Sequence, residues 1–350
     1  MTEINNKLSV KLLAAAMAAV LSQMAFAAEE DKEYSLDNET AEALAQQEDD
    51  ASQEKNLEEV FDATEEEYAL RKQSNVNLFY SFGYSYSRSD SINTPTDSDG
   101  SIRAVQVIPQ ASHSFNNTLS LSYGLLDNLT VSGSFPFVYR NDSTKGLDKA
   151  GIGDFSTSVR WQPFPAKRGG LNTTLFTSMK FPTGDSPYTL NPQTDLATGS
   201  GYFTLTAGSS FSQVIDPAIV FANVSYSVNN DVEGINQTIA SGTGGQTREL
   251  NKLRPGDNFG ASMGLAFSIT YDLSLNLSTS LGYNMSSIYE FSDGAQASSG
   301  DSFTALFNAS LGMRMSPKTI VNYNFGFGLT EDAPDVTLGV SMPINFLGFK

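Results

Sequence analysis

The chain has 350 residues, of which 17% are charged, with no cysteine and a formal net charge of −18 at pH 7. The acidic excess argues against nucleic-acid binding, which requires a basic surface, and the lack of cysteine excludes disulfide bonds and thiol chemistry. Between residues 28 and 75 the sequence has 17 acidic and 4 basic residues, so −13 of the charge lies there. This uneven distribution sets a domain boundary near Asn75.

The first 27 residues have the organisation of a secretory signal peptide. Two lysines precede a short apolar stretch, residues 12–21, and Ala25-Phe26-Ala27 follows. A basic start, an apolar centre and an A-x-A cleavage site are the features of an export signal. An N-terminal anchor helix is less favoured because the apolar stretch is short. We therefore predict a signal peptide over residues 1–27.

Residues 28–75 form an acidic segment that we place in the periplasm. Its first part is polar and poor in large apolar residues, which is typical of disordered or loosely helical chain. Apolar residues at helical spacing then predict an amphipathic helix over residues 56–72. The predicted plug residues on its apolar stripe are Leu57, Val60, Phe61 and Tyr68. Two interpretations stay open, a solvated leader outside the pore or a helix that docks in the pore.

From Val76 onward, apolar and polar residues alternate, and a period of two indicates strands with one apolar face and one polar face. In the first strand every even position from 76 to 86 is Val, Leu, Tyr or Phe. The predicted strands lie near residues 76–86, 103–125, 129–139, 155–161, 171–181, 203–211, 218–228, 259–269, 273–285, 303–315, 321–329 and 336–346.

The polar faces of these strands contain mostly Ser, Thr, Asn and Gly, which suits a water-filled lumen with the apolar faces toward lipid. Short and long connections alternate along most of the chain, as in barrels with periplasmic turns and outer loops. We therefore predict an all-β fold, a transmembrane antiparallel β-barrel of about 12 strands over residues 76–350, in the outer membrane of a Gram-negative bacterium. A soluble sandwich is less favoured because of the signal peptide and the Ser/Asn face.

Four segments in order carry a family resemblance. They are LSYGLLDNLTVSGSFPFVYR at 121–140, GIGDFSTSVRW at 151–161, MKFPTGD at 179–185 and TGSGYFTLTAG at 198–208. Together they resemble the outer-membrane transporter family named "MetA-pathway of phenol degradation", over about residues 76–346. That family is similar to the Fap channel that secretes functional-amyloid subunits, a trimeric twelve-stranded barrel with a plug helix. The resemblance implies a transporter with a plugged lumen, and a homotrimer as its assembly.

No residue pattern predicts catalysis. The single histidine, His113, shares the parity of the lipid-facing residues and has no obvious partner, whereas nucleophilic catalysis needs a base oriented by a third group. The sequence has no metal-ligand cluster, phosphate loop or cysteine pair. We therefore predict no enzymatic activity, no cofactor and no bound metal.

Sparse charges fall at positions that alternation directs into the lumen, where they would tune ion selectivity and orient solutes. These residues are Arg140, Asp154, Arg160, Lys180, Glu290 and Arg314. The alternative is that they are solvated wall residues without a role. Arg160 and Arg314 are the favoured pair, because both are predicted near the periplasmic end, where the acidic segment must pass.

Three functions remain open at this point. The first is a channel for small solutes, hydrophobic or aromatic ones among them, gated by the N-terminal plug. The second is a secretion channel for an unfolded protein such as amyloid subunits, and the third is a structural barrel without transport. Small inward residues favour an open lumen over a filled one. The expected partners are outer-membrane lipid and either a small-molecule solute or an exported polypeptide.

Overall fold

The computed structural model describes residues 70–93, 106–165, 170–191, 194–216, 218–241, 246–316 and 319–344. Within these ranges the strands, in chain order, are β1 (Val76–Asn93), β2 (Gln106–Leu126), β3 (Leu129–Asp142), β4 (Leu147–Ile152), β5 (Ser156–Trp161), β6 (Asn172–Lys180), β7 (Thr204–Ile215), β8 (Ala218–Asn229), β9 (Val232–Ser241), β10 (Gln246–Arg254), β11 (Asn258–Thr270), β12 (Leu273–Asn284), β13 (Ile288–Phe291), β14 (Gln296–Ser298), β15 (Ser302–Ser316), β16 (Thr319–Gly328) and β17 (Val336–Pro343). No helix in the described ranges has the length and apolar character to cross a membrane.

The predicted signal peptide and the plug residues Leu57, Val60, Phe61 and Tyr68 lie outside the described residues. The described end of the predicted helix, residues 70–72, is not helical. The backbone N–H of Arg71 donates to the side-chain oxygen of Thr130 at 2.8 Å, which replaces the carbonyl partner that a helix would supply.

Twelve antiparallel strand positions close into a barrel. β1 pairs with β17 on one side and with β2 on the other, and β2 pairs onward with β3. β4 and β5 occupy one position, because each pairs with a different half of β3. The remaining neighbours follow in the order β6, β7, β8, β11, β12, β15, β16 and β17. The prediction of a twelve-stranded all-β transmembrane barrel is confirmed.

The barrel has two different ends. The turn end has five connections, four of them two residues long, which are residues 127–128, 162–171, 216–217, 271–272 and 317–318. The loop end has the other connections, which are residues 94–105, 143–146, 181–203, 230–257, 285–301 and 329–335. β1 begins at the turn end, so the acidic segment is connected to the barrel at that end.

The side chains are arranged inside out relative to a soluble protein. Small polar residues that face the lumen are buried, with Ser122 at 1% exposure and Asn322 at 0%. Large apolar residues on the outer face are exposed, such as Phe135 at 57% and Phe327 at 52%. In water such exposure would be unfavourable, whereas lipid solvates an apolar outer face. Exposed apolar side chains occur on wall strands from β1 to β17, so the apolar outer face extends around the barrel.

Aromatic rings gather on the lipid face toward the loop end. The ring of Phe155 lies 4.6 Å from Phe135 and 5.7 Å from Phe181, centre to centre. On neighbouring strands, the Tyr84 hydroxyl and His113 Nδ1 are 3.0 Å apart. His113 therefore lies in an aromatic girdle of the kind that marks a membrane interface, on the face that alternation predicts.

Two long connections carry a second sheet, the outer sheet, which lies outside the twelve predicted strands. Its strand order is β14-β13-β10-β9. Leu250, Leu253 and Ile235 form its buried core. A β-bulge between Leu250 and Lys252 lets two leucines three residues apart share one face. A search for strict alternation misses such a strand.

The alternation can be tested with two adjacent positions of β12. Leu277 is paired with the lipid-facing Leu265, and Ser278 has the opposite parity. Leu277→Arg should cost about 2–4 kcal/mol of barrel stability, since it places a charge in lipid. Ser278→Arg should cost much less, because its charge meets the lumen. Refolding into lipid vesicles, followed by heat-modifiable migration on gels, measures both. Equal losses would contradict the assigned faces.

Candidate functional site: the barrel lumen

The lumen wall is mostly polar, and its charges are concentrated on one side. An inward apolar cluster on β7, β8 and β11 is the exception, formed by Val214, Ile219, Phe221 and Ala266. Arg140 on β3, Arg160 on β5 and Lys180 on β6 face inward, and we call these three residues the basic stripe.

Three further inward positions of the described wall strands are charged, which are Asp142 on β3, Lys149 on β4 and Arg314 on β15. Lys149 is the register partner of Arg140 and forms an ion pair of 3.1 Å with Asp185. With Asp154 beside it, the stripe has two more positive than negative charges. Such an asymmetric wall favours anions over cations.

Asp154 organises the loop end of the stripe. It lies in the break between β4 and β5, and it interacts electrostatically with Arg140 and Lys180. Its carboxylate accepts hydrogen bonds from the Ser200 N–H at 2.7 Å, the Ser200 hydroxyl at 2.6 Å and the Gly184 N–H at 3.1 Å. Asp154 therefore joins the interrupted strand to the loop of residues 181–203.

Three tyrosines, Tyr188, Tyr202 and Tyr289, lie between this loop-end site and the core of the outer sheet, and we call them the tyrosine cluster. The Lys180 ammonium lies 5.2 Å from the centre of the Tyr202 ring. Burial raises the pKa of the Tyr188 phenol, and neighbouring Tyr202 and Tyr289 add to the effect. Burial also raises the pKa of Tyr202, with smaller contributions from Tyr289 and Asp154. These phenols remain neutral at physiological pH, so they add polar hydroxyls and aromatic faces without adding charge.

A cavity of about 390 Å³ lies deeper in the lumen. Its lining is formed by Ser120, Ser132, Ser134, Ser156, Ser158, Arg160, Phe176, Ser178, Thr206, Asn223 and Ser225. Arg160 donates from Nη1 to the Ser132 hydroxyl at 3.5 Å. The register places Phe176 directly beside Arg160 on the neighbouring strand. One cation and one aromatic ring therefore stand together among hydroxyl and amide groups.

At the turn end, residues 71–75 form a strap that lies against the inner face of the wall. Besides the bond from Arg71 to Thr130, the Ser74 N–H donates to the Gly124 carbonyl at 2.8 Å. Ser74 has a φ of 65°, and the Asn75 N–H closes the turn onto the Lys72 carbonyl. A side chain at Gly124 would overlap the strap backbone, so only glycine fits there.

Four of the six predicted lumen residues line the lumen, and the other two lie elsewhere. Arg140, Asp154, Arg160 and Lys180 line the lumen. Arg314 lies at the turn-end rim, where its guanidinium sits 4.7 Å from the Tyr271 ring centre and donates to the Tyr271 carbonyl.

Glu290 lies elsewhere, in β13 of the outer sheet, and forms an ion pair of 2.8 Å with Arg254. The barrel wall ends at Asn284 in this part of the chain, so alternation counted from β12 does not apply to Glu290. The prediction that it faces the lumen from the wall is therefore corrected.

Sequence reasoning missed Phe176 and the strap. Phe176 could have been found, because it is the one aromatic residue in the inward row of β6, between Thr174 and Ser178. The strap has no local signal, since its partners are distant in sequence. Among the described residues, no group of three or more His, Asp or Glu side chains could hold a metal ion.

The sequence matches no family model. The structure is similar to the COG4313 outer membrane channel from Pseudomonas putida F1, with 15% identity over 79% of this chain and 96% of that chain and a TM-score of 0.56. The chain has the fold of an outer-membrane channel.

Two further structural similarities are weaker. The translocator domain of the autotransporter NalP from Neisseria meningitidis has 10% identity over 87% of this chain and 98% of that chain, with a TM-score of 0.47. The toluene transporter TodX from P. putida has 14% identity over 78% and 90%, with a TM-score of 0.42. The resemblance to the phenol-degradation family and to the Fap channel remains a prediction.

The role of Asp154 can be tested by proteolysis. Asp154→Asn should weaken a charged hydrogen-bond set worth about 1.5–3 kcal/mol and let the loop of residues 181–203 open locally. Chymotrypsin should then cut this loop about tenfold faster, because cleavage follows the open population. Asp195→Asn in the same loop is the matched control, since the Asp195 carboxylate accepts a hydrogen bond from Thr194, its neighbour within the loop. Equal cleavage of the two variants would reject the anchoring role.

Proposed function

We propose that the chain is a channel in the outer membrane of a Gram-negative bacterium and passes small solutes through the barrel lumen. The observation that carries the proposal is the wall itself, which is lined by hydroxyl and amide groups and has the basic stripe on one side. Such groups replace part of the hydration of a passing solute without holding it permanently. Transport of this kind needs no covalent step, so the proposal includes no enzymatic activity.

The size of the cavity favours small solutes over an exported polypeptide. A volume of about 390 Å³ lies in the range of sites for small organic molecules. An unfolded chain would have to displace the strap at the turn end. Secretion of a protein is therefore the second candidate, and a structural barrel is what remains if no solute passes.

Liposome swelling tests the proposed function. Vesicles that contain the full chain should swell in small neutral sugars such as arabinose, and the rate should fall steeply with larger oligosaccharides, because larger molecules would have to displace the strap. Empty vesicles and vesicles with heat-denatured protein are the controls. Absence of swelling in every sugar would leave the structural barrel, and passage of long oligosaccharides would favour a wide secretion channel.

We further propose that the acidic segment before Leu70 acts as a plug at the turn end. The strap supports this proposal, because residues 71–75 approach β1 along the inner face of the wall. Burial of small inward residues around the circumference also supports it, as with Ser210 and Asn276. Small side chains fill an eight-stranded barrel but leave space in a twelve-stranded one. A further occupant would account for their burial.

Charge supports the same proposal. Thr130, which accepts the strap N–H of Arg71, is the register partner of Arg160. The described end of the acidic segment therefore lies beside Arg160, the member of the basic stripe nearest the turn end. Opposite charges attract more strongly in a confined, partly desolvated mouth than on an open surface, and salt weakens them.

Two deletions of the acidic segment test the plug. Removal of residues 51–69, which keeps the strap, should raise single-channel conductance severalfold and reduce closing events. Removal of residues 29–50 is the matched control and should have a smaller effect, since that part lies further from the strap in sequence. High salt should partly reproduce the first deletion through screening. Unchanged conductance after removal of residues 51–69 at low salt would mean that the segment is a leader outside the pore.

A further inference from the structure

The cavity of the lumen has two rows of inward residues that cross the same strands. One row runs through Ser132, Ser158 and Ser178 on β3, β5 and β6 and offers only hydroxyl groups. The adjacent row places Arg160 beside Phe176. A charged group and an apolar ring therefore occupy one level of the wall, directly next to a row of neutral hydrogen-bond donors.

Arg160 supplies the charge of this site. A guanidinium presents its N–H donors in a planar fork that matches the two oxygens of a carboxylate. The nearby hydroxyls of Ser132 and Ser158 line the same cavity and can donate to a carboxylate as well. A single guanidinium matches the single charge of a carboxylate better than the higher charge of a phosphate group.

Phe176 supplies an apolar surface of fixed orientation. Its register partner on β7 is Gly208, and a Cβ at that position would overlap the Phe176 ring. The ring is therefore packed closely over the glycine backbone, and Phe176 also lines the cavity. A flat apolar group can stack on a ring held in this way. The other described lining residues are Ser, Thr, Asn and Arg, so they offer no comparable surface.

We propose that this cavity is a binding site for small monocarboxylates with a flat apolar body, of which benzoate is the simplest probe. Arg160 holds the carboxylate, Phe176 contacts the apolar body, and the serine row accepts and donates around them. The proposal rests on the proposed function and names the solute class for the same lumen. Binding in a channel must remain weak enough for release, so millimolar affinity is sufficient.

Calorimetric titration of the full chain in detergent micelles tests the site directly. Benzoate should bind at least about tenfold more tightly than acetate, which lacks the apolar body, and than benzyl alcohol, which lacks the charge. Arg160→Gln should weaken benzoate binding by about tenfold and leave benzyl alcohol unchanged, because only the carboxylate loses its partner. Phe176→Leu should weaken benzoate severalfold and leave acetate unchanged.

Two control variants match these changes. Arg254→Gln removes an arginine of the outer sheet, and Phe325→Leu removes a ring from the lipid face. Neither should alter benzoate binding. If Arg160→Gln does not fold, Arg160→Lys takes its place and should bind benzoate more weakly than the unchanged chain, since lysine lacks the fork.

The outcomes separate this proposal from the channel function. Equal affinity for benzoate, acetate and benzyl alcohol, or loss of benzoate binding in the two control variants, would overturn the site. Such a result is independent of conductance, because binding is measured in micelles. Conversely, a chain that binds benzoate as expected but supports no swelling or current would retain the site and contradict the channel.

Discussion

A backbone N–H or C=O without a partner is very unfavourable in lipid, and the closed sheet satisfies this constraint. β1 pairs with β2 and with β17, so the wall has no open edge among its twelve strand positions. In a closed barrel each wall side chain faces either the lipid or the lumen. The apolar outer face, the serine and asparagine inner face and the direction of the charged side chains all follow from it.

The same constraint explains how much of the fold the sequence could predict. Successive side chains of each wall strand face lipid and the lumen in turn, so a strand such as β1 can be recognised from its own alternating sequence. Parts outside the membrane follow no such rule. Leu250 and Leu253 share a face only through a bulge, and the break at Asp154 depends on contacts with Ser200. Neither feature leaves a periodic pattern in the sequence.

The candidate site likewise has residues that alternation predicts and residues that it does not. Arg140, Arg160 and Lys180 could be assigned to the lumen by alternation, because all three lie within wall strands. Glu290 could not, because the chain leaves the wall before it. The strap was also beyond local reasoning, since Arg71 and Thr130 are 59 residues apart. Tertiary contacts of that kind determine which segments lie against the inner face, although alternation determines which wall residues line the lumen.

Ion selectivity tests most directly whether the positive charge on one side of the lumen wall acts on passing solutes. The full chain is inserted in a planar bilayer that separates two concentrations of KCl, and the reversal potential is measured. We expect discrete conductance with a reversal potential displaced toward the chloride equilibrium potential, and a smaller displacement in Arg160→Gln. A reversal potential displaced toward that of potassium, or a bilayer without conductance, would contradict an anion-selective lumen.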